Sequence, residues 1–213
     1  MCWNSEVSLN TFLFSSFVLG LIIYNNTFTK YKIRELNNIW IYLFFASFIF
    51  MQLIEFFIWR NIDNKFYNKM FSITATLLLL VQPIFSILII SNKKIKQILL
   101  SIYLLLALPY SIWKFSTENI HSIISKSGHL QWIFFKTSPI ILLMWLFFLL
   151  FPLFYEKLWG GCLFGMFLLS ISYYTYMNDR TFGSMWCWII NFIFIYYAGY
   201  LLFYLPYVEN QGL

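Results

Sequence analysis

Charge is what this chain has least of. Asp, Glu, Lys and Arg supply 10% of its 213 residues, against about a quarter in soluble domains. With 61% hydrophobic residues as well, it cannot clothe a water-soluble globule. Metal-binding residues are equally scarce. The two histidines, His121 and His129, stand eight residues apart, off the i, i+4 spacing of a helical zinc site. The three cysteines, Cys2, Cys162 and Cys187, show no metal-ligand spacing. There is no Walker loop, no glycine-rich dinucleotide turn and no G-x-S-x-G elbow. No lysine lies inside an apolar stretch, which removes the Schiff-base site a retinal protein needs. No metal and no other cofactor is expected, and the balance leans away from an enzyme.

What the chain does have is apolar length. Seven stretches, near residues 8–25, 38–59, 71–91, 96–114, 138–155, 158–177 and 184–205, approach the roughly 20 residues needed to cross a bilayer as a helix. The expected fold is an all-α integral membrane protein, a single domain of about seven transmembrane helices over residues 1–213. The start, MCWNSEVSLN, lacks the basic segment of a signal peptide, so the first stretch is expected to be retained. The longest connection runs from about Phe115 to Thr137, too short for a soluble domain.

The net charge of +6 is scattered over short loops, as membrane-flanking Lys and Arg would be, and no nucleic-acid partner is expected. The lipid bilayer is the expected partner; nothing in the chain fixes an oligomeric state. Seven crossings place the termini on opposite sides, and the basic residues divide evenly. Arg60, Lys65, Lys69, Lys114, Lys126, Lys136 and Arg180 fall on the N-terminal side. Lys30, Lys32, Arg34, Lys93, Lys94, Lys96 and Lys157 fall on the other. The compact SNKKIK turn from Ser91 to Lys96 holds three lysines against helix ends and tips the expectation towards an outside N-terminus and a cytoplasmic C-terminus.

Polar residues in hydrocarbon must face partners or water. They gather on the N-terminal side, which suggests a polar pocket in that half of the bundle. Glu55 is the acidic residue lying within a stretch rather than at its edge, with Gln52 on the same helical face. Gln82, Asn191, Tyr173 and Tyr174 are the other candidate lining residues for an ion or small-solute pathway. Arg60, Asp179 and Arg180 are candidates for rim salt bridges, and Cys2 and Cys187 for a disulfide on the same side. Gln82 precedes Pro83, which should kink the third helix and free a carbonyl that a glutamine or water can satisfy.

The strings MCWN, QLIEFFIWRN and SMWCWIIN resemble a family of multi-spanning membrane proteins encoded by giant DNA viruses and by algae and other protists. The resemblance implies such an origin and carries over no activity and no site residue. A chain with four alanines against 26 phenylalanines, rich in residues of A+T-rich codons, fits it. Two functions are expected from these features. One is a channel, transporter or small-ligand-binding protein with Glu55 at its polar pocket. The other is a structural or partner-binding component of a virion or organelle membrane, without transport.

Overall fold

The computed structural model describes residues 4–135 and 138–211, the last three of these by backbone alone. Asparagine sets the helix boundaries. Asn4, Asn38, Asn64 and Asn92 each accept backbone N–H bonds at the start of α1 (Ser5–Phe28), α2 (Ile39–Arg60), α3 (Lys65–Ile89) and α4 (Lys93–Thr117). Ser138 caps α5 (Pro139–Tyr155), whose Pro139 needs no N–H partner at the first turn. Helix α6 (Trp159–Tyr176) follows a turn in which Lys157 adopts a left-handed φ of 61°. The chain then runs as one rod through α7 (Phe182–Ile189), a 3-10 turn at Ile190–Phe192, α8 (Ile193–Gly199), a π turn at Tyr200–Tyr204 and α9 (Leu205–Gln211).

Among the described residues five rods are long and apolar enough to cross a bilayer: α1, α2, α3, α4 and Phe182–Val208. Helix α5, with 17 residues, is apolar but shorter, and α6, with 18, is less apolar than those five. The protein is thus a helical membrane protein. Exposed side chains agree: Phe17, Leu105, Ile112, Ile140 and Phe203 lie 64–75% open, an arrangement that water would penalise and lipid accepts.

Helix α2 is central, packing against α1, α3 and α7, while α3 also meets α4 and α5. Proline shapes that second set. Pro83 has no N–H for the carbonyl of Leu79, and the Trp145 indole of α5 donates to that carbonyl at 2.8 Å. The neighbouring Leu80 carbonyl accepts from the Tyr103 hydroxyl of α4 at 2.7 Å, and Ser86 reaches the Leu149 carbonyl at 2.6 Å. The proline-containing stretch of α3 is therefore the socket into which α4 and α5 plug. Gln82, expected to satisfy the freed carbonyl, does not; it is fully buried and has no hydrogen-bond partner among the described residues.

The expected loop after α4 contains an antiparallel hairpin, β1 (Ser122–Ile124) and β2 (Leu130–Trp132), pairing Ser122 with Trp132 and Ile124 with Leu130. Gly128 turns it with φ 79°. The hairpin folds over the N-terminal end of the bundle, burying Ile120, Leu130, Trp132 and Phe134. Gly183 at the head of α7 permits this closure, because a Cβ there would stand 2.8 Å from the Phe135 ring.

Candidate functional site

The polar residues of the N-terminal half close the bundle. Asn68 of α3 donates to the carbonyls of Ile62 and Ser122, both at 2.9 Å, and accepts from the Ser122 N–H at 2.9 Å. Ser72 meets Ser122 at 2.9 Å, and Ser184 donates to the Leu130 carbonyl at 2.7 Å. Thr76 bonds back to Ser72 within its own helix, and Ser172 donates to the Phe182 carbonyl. Asn68, Ser72 and Ser184 thereby bolt the hairpin down.

Gln52 and Glu55 are brought together: both are fully buried, and the Gln52 amide donates to a Glu55 carboxylate oxygen at 3.0 Å. The remaining candidates do not join them at a cavity. Tyr174 is 92% exposed, and Tyr173 packs edge-on against Phe182. Asn191 is buried and donates back to the Cys187 carbonyl at 2.8 Å. None of Gln52, Glu55, Gln82, Tyr173, Tyr174 and Asn191 lines either of the two cavities described below. Arg60, Asp179 and Arg180 form no rim salt bridge among the described residues; Arg60 at the end of α2 and Arg180 in the α6–α7 turn are exposed. Cys187 is a buried free thiol; its expected disulfide partner Cys2 lies outside the described residues.

The first cavity, about 180 Å³, opens between α3, α4 and α5. Its charged element is Lys114, buried and held at 2.9 Å by Glu118 one turn on.

The second is far larger, about 830 Å³, and lies at the opposite end of the bundle from the hairpin. It falls between α2, the C-terminal half of α5, the N-terminal half of α6 and the α7–α8 rod. Its volume is within the range of small-molecule sites. Aromatic rings form much of the wall: Phe44, Phe45 and Phe48 from α2, Phe164 from α6, and Trp186, Phe194 and Tyr197 from the rod. Trp186, 2% exposed, closes the inner end, with its indole donating to the Gly165 carbonyl at 3.2 Å and its ring edge-on to Phe48. Gly160 and Gly161 leave open space where side chains would stand.

The mouth is charged. Lys32, Arg34 and Glu35 come from the α1–α2 loop and Lys157 from the α5–α6 turn. Buried Asn26 positions that loop: its side-chain oxygen accepts from the Ile33 N–H at 2.7 Å while its amide donates to the Ile33 carbonyl and the Tyr42 hydroxyl. At the same end of the bundle, Ser91 donates backbone and side-chain bonds to Glu156 at 2.8 and 2.9 Å, tying the ends of α3 and α5 together.

No protein-family model, curated protein or solved structure matches the chain. The site stands on its own geometry.

These residues carry a sequence signal of a different kind from the one followed first. Lys32, Arg34 and Lys157 enter a topology count and nothing more. Two of the eight glycines, however, stand side by side at 160 and 161 at the head of an aromatic-rich stretch, and neither has a neighbour within 4 Å of where a Cβ would stand, whereas Gly165 packs against Ile190 and Leu150.

Proposed function

We propose that this is a seven-span membrane protein that binds an amphipathic small molecule in the aromatic cavity between α2, α5, α6 and α7–α8. The 830 Å³ void carries the reading: its walls are ring-lined and its mouth is charged, so it offers an apolar body a dry seat and a polar head an exit. In the bilayer the molecules of that design at highest concentration are lipids. Binding is favoured over ion conduction because the charged groups line the mouth while the inner end is sealed by Trp186.

Seven crossings are supported by the Ser91–Glu156 bonds. They set the C-terminal end of α5 beside that of α3, as expected if both helices cross in the same direction. The orientation we propose has the N-terminus outside and the C-terminus, with the cavity mouth, at the cytoplasmic face.

The test is retention of lipid by the full-length protein purified in mild detergent, counted by native mass spectrometry. Wild type should keep one lipid per chain through detergent exchange. Gly161→Phe, which fills the void from a position with room for a side chain, should lose it. A protein that emerges bare, or a Gly161→Phe variant that retains lipid equally, would shift the reading to a structural or partner-binding component of its membrane.

A further inference from the structure

We infer that the occupant of this cavity is a membrane lipid with an anionic headgroup, held at the mouth by Lys32, Arg34 and Lys157. The inference rests on the binding function proposed above and adds the sign of the ligand. Three cations and one acid, Glu35, surround the opening, an excess of two positive charges around an apolar interior. None of the three cations forms an ion pair among the described residues. The acid nearest Lys157 in sequence, Glu156, accepts from Ser91 instead. Arginine and lysine kept unpaired at headgroup depth meet phosphate oxygens readily, Arg34 with a planar fork and the lysines as point charges.

The mouth is also built to hold those charges in place. Asn26 locks Ile33, which lies between Lys32 and Arg34. The left-handed turn at Lys157 delivers the third cation beside the first residues of α6, whose leading N–H groups have no side-chain cap. A zwitterionic headgroup would bring a quaternary ammonium into this excess of positive charge; a monoanionic one brings only the complementary sign.

The deciding experiment offers full-length protein, stripped of lipid in an uncharged detergent, equal amounts of phosphatidylglycerol and phosphatidylcholine with matched acyl chains. Bound lipid is counted by native mass spectrometry in wild type, Gly161→Phe, Gly160→Phe, Arg34→Gln and Lys157→Asn, the last chosen because asparagine tolerates the left-handed turn. Wild type should prefer phosphatidylglycerol. Each rim variant should reduce that preference about fivefold, the equivalent of about 1 kcal/mol per basic residue near an anionic headgroup. Both glycine variants should abolish the bound lipid. Equal binding of the two lipids, lost in the glycine variants, would overturn the anionic inference and leave lipid occupancy standing. Binding indifferent to the glycine variants would overturn both. A glycine variant that fails to fold leaves the decision to the rim variants, whose exposed side chains can change without disturbing the core.

Discussion

A carbonyl with no helical donor must find one elsewhere, and in α3 the donor is the indole of Trp145. Trp145→Phe should lower stability by about 1 kcal/mol, the size of a hydrogen bond whose acceptor stays buried. Pro83→Ala supplies an N–H to the same carbonyl, so in the Pro83→Ala background the tryptophan substitution should cost measurably less. Equilibrium unfolding of the four proteins in detergent closes that double-mutant cycle, and strict additivity would refute the pairing. Glu55 calls for a second comparison. Gln keeps an acceptor for the Gln52 amide and Leu does not, so Glu55→Leu should lose about 2 kcal/mol more than Glu55→Gln. Proton flux into liposomes should be alike in wild type and Glu55→Gln. Flux present in wild type and absent from a folded Glu55→Gln protein would place an ion path on α2 and contradict a purely binding role.

At the scale of elements, the hairpin is the part whose docking can be switched. Asn68 alone makes three hydrogen bonds that fasten Ile62 and Ser122, so Asn68→Leu should release β1–β2 and speed proteolysis in the Ser125–Gly128 turn at least tenfold. Acid should act in the same direction. Burial holds the His129 imidazole below its usual pKa of 6.5, with the Asp179 carboxylate opposing the shift and the Tyr176 ring edge-on to it. The docked hairpin therefore prefers neutral His129. Docking is at full strength above about pH 6.5 and weakens as pH falls and the released form takes up the proton, a trend hydrogen exchange on Leu130 and Trp132 would follow. The helices were legible in the sequence because long apolar runs ended by Asn or Ser leave few alternatives; the stretch expected near 38–59 matches α2 closely, while α3 begins six residues before the expected 71–91. The hairpin was not, since three-residue strands are too short to show alternation. Nor was the site. Ser72 and Ser184 look the same in a sequence whether they face a void or a partner, and here they face the hairpin. Lys32 and Lys157 are 125 positions apart in the chain, and the packing of both α2 and α6 against α7 brings them to one opening.

On the scale of the whole molecule, the even division of basic residues leaves orientation to their arrangement. Lys32, Arg34 and Lys157 ring one cavity mouth, and Lys93, Lys94 and Lys96 crowd the neighbouring turn, while the N-terminal face spreads its charge over the hairpin and helix ends. Dense charge beside helix ends resists translocation, and anionic lipids concentrate in the cytoplasmic leaflet. Both effects favour the proposed orientation, with the mouth inside, where the proposed ligand is most abundant. Single reporter cysteines in a Cys2→Ser background test this directly, because Cys162 and Cys187 are buried and should stay unlabelled. A membrane-impermeant maleimide applied to intact cells should label Ser127→Cys in the hairpin turn. Lys94→Cys and Tyr155→Cys should react only after permeabilisation, since α4 and α5 each cross between them and the hairpin. Labelling of Tyr155→Cys from outside together with Ser127→Cys would mean that α5 turns back within the bilayer. It would also part the rim, leaving Lys157 on the wrong side of the membrane from Lys32 and Arg34. The cavity mouth and the seventh crossing therefore stand or fall on the same measurement.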